Sequence, residues 1–175
     1  PSNNTAVVVG NGLLGLFTIY FLKQIGIEKI ISSEIDISRR NLSKQFGADI
    51  LVDPIKENLT KVVLDQTNGY GADIVVEAVG NPKVLEGCFQ LIRPRGQMLL
   101  VGVNPKGSKL PFDLFEMHRN EISVFGAFGQ GNSFERALNH LPNMQLNNII
   151  AGRYPLELLP KIIKKSANLE GAKFV

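Results

Sequence analysis

The sequence predicts an α/β fold: a doubly wound parallel sheet of six strands with helices on both faces, plus a C-terminal appendage. Three observations carry that expectation. Apolar, β-branched runs alternate with helical patterns, the order expected of a parallel sheet whose crossovers are helices. The first run, Val7-Val8-Val9, passes straight into Gly10-Asn11-Gly12-Leu13-Leu14-Gly15 and then an apolar segment, Leu16 to Leu22. Core strands run into glycine at positions 10, 80, 102 and 126, and an open parallel sheet holds its ligand at the carboxyl ends of its strands.

The elements follow in order. The first strand is expected at about 6–9, and its helix runs to about Gln24 with Gly26 as a stop. A second strand, 29–34, ends in Glu34, and Ser38 is expected to cap a helix through Phe46, stopped by Gly47. Ile50-Leu51-Val52 reads as a short strand, 57–66 as a helix and 73–77 as a fourth strand. Pro82 and Gly96 bracket the next helix, and 97–101 is the fifth strand. Leu110 to Asp113 reads as a short edge strand, followed by a helical turn through His118 and a sixth strand at 122–125. After Asn132 the texture changes: a helix at 133–141, an extended stretch at 147–154, an amphipathic helix at 156–165 broken or bounded by Pro160, and a last strand at 172–175. The expected division is a dinucleotide-binding domain at 1–132 and an appended segment at 133–175.

The spacing G-x-G-x-x-G has a physical meaning in this strand–turn–helix context. Gly10 allows the tight turn out of the strand, Gly12 lets backbone approach a pyrophosphate, and Gly15 lets helix and strand lie close. The phosphates would face the free N–H groups and positive dipole end of the helix that opens near Leu13. Glu34 ends the second strand about twenty residues further on, where a carboxylate accepts hydrogen bonds from ribose hydroxyls and repels a 2′-phosphate. The competing reading is a glycine-rich turn with a surface glutamate.

Composition narrows the class. The chain has 175 residues, 44% hydrophobic and 20% charged, with a net charge of +3. Its basic residues are dispersed apart from Lys161, Lys164 and Lys165 on a solvated helix face, so neither nucleic acid nor a membrane surface is indicated as a partner. Cys88 is the only cysteine, which excludes a disulfide framework and a thiolate zinc cluster and suggests a small packed side chain. The most apolar window, 7–22, is interrupted by Gly10-Asn11-Gly12 and is too short to span a bilayer. A cytoplasmic location is the default expectation. The chain opens on Pro1 and ends on Ala172-Lys173-Phe174-Val175, so it is expected to be a piece of a longer polypeptide.

Several motifs together resemble a known family. The glycine turn, Ser33-Glu34, Phe46-Gly47-Ala48-Asp49, Glu77-Ala78-Val79-Gly80, Arg95 to Gly102 and Phe115-Glu116-Met117-His118-Arg119 look like the cofactor domain of the medium-chain alcohol, polyol and threonine dehydrogenases. The resemblance runs from about Thr5 to Val175. It implies that Gly10, Gly12, Leu13, Leu14 and Gly15 cradle a pyrophosphate, and that Glu34 and Arg39 contact the adenosine ribose. It implies that Val79 borders the nucleotide, and that Val101-Gly102-Val103 with Ala127-Phe128-Gly129 hold the nicotinamide carboxamide through their backbones. Val79 and Val101 also have a reading as core, and Arg39 as a solvated helix residue. Glu34 favours NAD, whereas Arg39 and Arg40 could attract the 2′-phosphate of NADP.

The resemblance also implies a zinc-bearing domain that this chain does not supply. With one Cys, two His and no H-E-x-x-H or C-x-x-C spacing, no metal ligands are expected here, and the chain alone should bind cofactor without turning over an alcohol substrate. The loop after the sixth strand, Phe128-Gly129-Gln130-Gly131-Asn132, lacks an arginine that sorbitol-type and threonine-type members tend to carry. A homodimer through the Leu110–Asp113 edge is expected. The rival readings are a stand-alone nucleotide-sensing module, an adenosylmethionine-binding domain, and part of a zinc-free, NADP-dependent reductase.

Overall fold

The computed structural model describes residues 4–110, 112–129, 133–144, 146–167 and 172–175. Its centre is β1 (Thr5–Val9), buried along its whole length. A strand covered on both faces reads as a continuous apolar run, which is what Ala6 to Val9 supplies. Around it lie β2 (Lys29–Ser33), β3 (Ile50–Val52), β4 (Ala72–Glu77), β5 (Ile92–Leu100) and β6 (Ser123–Gly126). The order is β3-β2-β1-β4-β5-β6 and every pairing is parallel. β1 and β4 are therefore neighbours although two strands separate them in sequence. That is the switch point, where successive crossovers leave in opposite directions and open a crevice.

Helices cover the sheet: α1 (Leu13–Gln24), α2 (Ile37–Gln45), α3 (Leu59–Gln66), α4 (Pro82–Cys88) and α5 (Leu114–Arg119). α1 buries Gly15, Leu16, Ile19 and Leu22, one stripe at helical spacing. Val7, Val9, Ile31, Val52, Val63, Val75, Leu85 and Met98 form a core shared by strands and helices. No helix of the described residues is long and apolar enough to cross a membrane.

Four local expectations are corrected. α2 is capped by Asp36, not Ser38: the Asp36 carboxylate accepts the Arg39 N–H at 2.9 Å, which starts the helix two residues earlier. The helix from Pro82 ends at Cys88, and β5 begins at Ile92. β5 then runs through Pro94 and Arg95, with Arg95 at φ 62° and its N–H bonded to the Asn120 carbonyl at 2.7 Å. The register against β4 shifts there, so a residue pair that reads as a turn is carried inside a strand. The edge strand expected at Leu110–Asp113 does not form. Leu110, Phe112 and Asp113 have no strand pairing, Pro111 lies outside the described residues, and the Phe112 ring packs on Phe89 with centroids 4.0 Å apart. The sheet edge on that side is β6.

The chain divides into two compact units, Pro1–Ala127 and Phe128–Val175. The second contains α6 (Phe134–His140), β7 (Ile150–Gly152), α7 (Leu159–Ala167) and β8 (Lys173–Phe174). β7 and β8 pair in parallel, and the Tyr154 ring meets Phe174 edge-on at 6.0 Å. The stretch from 147 is extended only over β7, because Leu146–Ile149 closes into a 3-10 turn first. Pro160 stands in the first turn of α7, where a missing N–H costs nothing, and so marks a boundary. Ile162 is buried, whereas Leu156, Leu159 and Ile163 are exposed.

Candidate functional site

The site is built at the carboxyl ends of β1, β2, β4 and β5. Gly10 leaves β1 at φ +91°, and its N–H bonds to the Ser33 carbonyl at 2.9 Å. Gly12 is the N-cap of α1, without a side chain to cap the helix. The first intrahelical bond is Leu16 N–H to the Gly12 carbonyl, so the N–H groups of Leu13, Leu14 and Gly15 belong to the turn that a helix leaves unsatisfied. The three glycines differ in kind. A Cβ on Gly15 would lie 1.9 Å from the Gly10 carbonyl oxygen, and one on Gly10 would lie 2.6 Å from Val79 Cγ2, so the fold itself requires both. A Cβ on Gly12 would meet nothing within 4 Å. Packing does not explain that glycine, and the helix end beside it is open to an anion.

Glu34 stands beside this turn, buried, with both carboxylate oxygens held by backbone. Oε2 accepts the Asn11 N–H at 2.7 Å and Oε1 accepts the Asp36 N–H at 3.0 Å. A carboxylate has about four lone-pair directions, so it keeps acceptor capacity for ribose hydroxyls. Arg39 lies in the first turn of α2 and is half-buried. Arg40 is committed elsewhere: Nη2 pairs with Asp53 at 3.1 Å, and Nη1 donates to the carbonyls of Glu34 and Ile35. It fastens the end of β2 to the end of β3.

Across the switch point, Glu77 ends β4 with its side chain fully buried. Its Oε1 accepts the Val79 and Gly80 N–H groups at 2.7 and 2.8 Å, and its backbone carbonyl accepts those of Val101 and Gly102 at 2.9 Å. Its Oε2 is buried without a partner, and a Cβ on Gly102 would come within 2.7 Å of it. One residue thus ties the loop after β4 to the loop after β5. Val79 is half-exposed and lies over Gly10, Val101 and Gly102 are partly covered, and Val103 is 71% exposed against Gly80. Val79 is therefore no core residue. The Ala127 N–H bonds the Leu100 carbonyl at 2.9 Å and closes this end of the first unit. Phe128 opens the second unit and is 76% exposed. Gln130-Gly131-Asn132 lies outside the described residues.

The glycine turn, Glu34, Val79 and Val101–Val103 thus gather around the ends of β1, β2, β4 and β5, and they fit a dinucleotide: an open helix end, a fixed acceptor and a small-residue rim. Sequence reasoning gave no role to the side chains of Asn11 and Glu77. The available signal was polarity in an apolar setting, an amide inside a glycine turn and a carboxylate closing a β-branched strand.

No group of three His, Cys, Asp or Glu side chains among the described residues is arranged to hold a metal, so the residues present do not fit a zinc centre. Cys88 is buried at the end of α4, and burial, with the Glu77 carboxylate second, pushes its thiol up to about 12. Such a thiol packs and does not react. A cavity of about 790 Å³ lies at the opposite, amino ends of the strands, lined by Lys29, Asp65, Tyr70, Asp73 and Arg93 among others. Three of its charged side chains are already engaged: Arg93 pairs with Asp73 at 2.7 Å, and Lys29 donates to the Gln66 carbonyl at 3.1 Å.

Comparison with known proteins agrees with this geometry. Residues 14–143 match the model of the zinc-binding dehydrogenase family. The chain is 35% identical over 172 residues to a scyllo-inosose 3-dehydrogenase of Thermotoga maritima, covering 94% of this chain and 43% of that protein. It is 34% identical over 129 residues to an L-threonine 3-dehydrogenase of Pyrococcus furiosus, covering 74% and 37%. Among solved structures, an alcohol dehydrogenase from Thermus sp. ATN1 superposes with a TM-score of 0.87 at 27% identity, over 98% of this chain and 50% of that one. The chain spans less than half the length of these two sequence relatives. It belongs to the zinc-dependent, medium-chain dehydrogenase family and corresponds to its cofactor-binding part.

Proposed function

We propose that this chain is the NAD-binding part of an oxidoreductase that takes a hydride from a secondary alcohol, polyol or sugar alcohol. The observation that carries the reading is Gly12, a helix-capping glycine that the fold does not need and an approaching pyrophosphate does. Bound there, NAD supplies the hydride acceptor. The chain's own residues bind and orient it. Backbone N–H groups from Gly12 to Gly15 take the pyrophosphate, Glu34 accepts from the adenosine ribose with Arg39 beside it, and Val79 packs on the nucleotide. Val101, Gly102, Val103, Ala127 and Phe128 hold the nicotinamide end. NAD is favoured over NADP because Glu34 is a fixed negative charge and Arg40 is committed to Asp53.

In this reading, metal and substrate contacts come from the part of the relatives that this chain does not match, and the chain alone turns over no alcohol. Residues 1–132 serve the nucleotide. Residues 133–175 pack on that other part, which accounts for the exposed Leu156, Leu159 and Ile163. A homodimer forms through the β6 edge, where Phe125 is half-exposed and backbone groups face outward; light scattering that gives only monomer rejects it. The setting is cytoplasmic. The test is calorimetric titration of the chain with NAD, NADP and adenosylmethionine. Selective binding of NAD is expected, and preference for adenosylmethionine or for none of the three refutes the proposal.

A further inference from the structure

We propose that Asn11 is a positioning residue that sets cofactor choice, by locking the glycine turn and Glu34 into one rigid acceptor. The inference rests on the reading of this crevice as an NAD site. Asn11 is fully buried and its side chain reaches Ser32 of β2. Its Nδ2 donates to Ser32 Oγ, Ser32 Oγ donates to Ser43 Oγ at 2.9 Å, and Ser43 Oγ donates to the Arg40 carbonyl at 2.6 Å. The chain of bonds can run only one way. It ends on a carbonyl, which accepts and never donates, so each hydroxyl must give its proton onward and Asn11 must present its amino group. Glycine turn, β2 and α2 are tied together by a single directed relay.

The relay is kept at a cost. Asn11 Oδ1 is buried with no hydrogen-bond partner, and an apolar side chain of similar size would carry no such penalty. What the amide adds is orientation. It fixes the Asn11 backbone, whose N–H holds Glu34 Oε2, while Asp36 N–H holds Oε1 from the other side. A carboxylate free to rotate could swing aside and admit a 2′-phosphate. One clamped on both oxygens cannot, and Arg40, the near cation, is bound to Asp53 and to two carbonyls. Exclusion of NADP therefore depends on rigidity as well as on charge.

The test is titration of wild type, Asn11→Ala and Ser43→Ala with NAD and with NADP, with folding followed by circular dichroism. Wild type should prefer NAD. Asn11→Ala should narrow the ratio of the two affinities about tenfold, the effect of losing one buried hydrogen bond, because NAD binding weakens while NADP binding does not. Ser43→Ala breaks the relay where it touches neither Glu34 nor the crevice, and should narrow the ratio in the same direction. A purely structural role for Asn11 would lower both affinities alike; an unchanged ratio in the folded variant overturns the proposal. Should Asn11→Ala fail to fold, the Ser43→Ala ratio decides, narrower in support and unchanged against. If wild type binds neither nucleotide or prefers NADP, the NAD reading falls and this inference with it. If wild type prefers NAD and the variants keep its ratio, only the inference falls.

Discussion

Gly12→Ala separates a glycine kept for a ligand from one kept for the fold. Gly12 sits at φ −63° and ψ −173°, a conformation alanine adopts freely, and the added methyl carbon has no neighbour within 4 Å. Replacing glycine with alanine at an N-cap costs about 1 kcal/mol, and the stiffer unfolded chain returns about 0.4–1 kcal/mol. Stability should therefore change by no more than about 1 kcal/mol. The methyl would stand where the proposed function puts the pyrophosphate, so NAD affinity should fall about hundredfold, equivalent to about 2.7 kcal/mol. Gly15→Ala is the control, because its methyl would lie 1.9 Å from the Gly10 carbonyl oxygen. Backbone would have to move, at about 3 kcal/mol or more. Urea denaturation and calorimetric titration of both variants give the four numbers. Two results refute the reasoning: Gly12→Ala binding NAD like wild type, or Gly12→Ala losing as much stability as Gly15→Ala.

Other consequences follow from the buried polar groups. Arg40→Ala leaves two carbonyls without their donor and Asp53 with only the exposed Lys56 at 3.8 Å in a nearly buried setting, and should destabilise by about 3 kcal/mol in urea denaturation without raising NADP affinity. Glu77→Ala strands the Val79 and Gly80 N–H groups and should cost about 2–4 kcal/mol, whereas Glu77→Gln keeps an acceptor for both and should stay within about 1 kcal/mol; equal losses would show that those bonds are not what Glu77 supplies. Cys88 has its thiol raised from 9.0 to about 12 by burial. The unfolded chain loses this proton first, so this contribution to stability is present below pH 9 and is lost as pH rises toward 12, by up to tenfold in the folding equilibrium per pH unit. Denaturation curves at pH 8 to 11 should show that fall in wild type and a smaller one in Cys88→Ala.

The parts legible in sequence were those fixed by local chemistry. β1, its glycine turn and α1 could be read because a β-branched run favours a strand, glycine permits the positive φ of the turn, and an apolar segment favours a packed helix before any tertiary contact forms. The position of Glu34 followed from spacing alone. Asp36 was passed over as the cap of α2 because Ser38, two residues on, satisfies the same preference. Five of the nine residues of β5 escape the sequence because Pro94-Arg95 has the chemistry of a turn, whereas Ile92 and Gln97 pair with β4 on either side of it and the Arg95 N–H is taken by the Asn120 carbonyl. Leu110–Asp113 has the apolar texture of a strand, but Phe112 is taken up by Phe89. The relay from Asn11 could not be read at all. Ser32 and Ser43 are ordinary residues in a strand and a helix until the β1–β2 register sets Ser32 beside the turn and α2 brings Ser43 to it.

The most direct test of the central claim is a crystal structure of this chain soaked with NAD. The account predicts the pyrophosphate against the N–H groups of Gly12 to Gly15, with the adenosine ribose hydroxyls on Glu34. Nucleotide bound instead in the cavity between Lys29, Tyr70 and Arg93, with the glycine turn untouched, would contradict it.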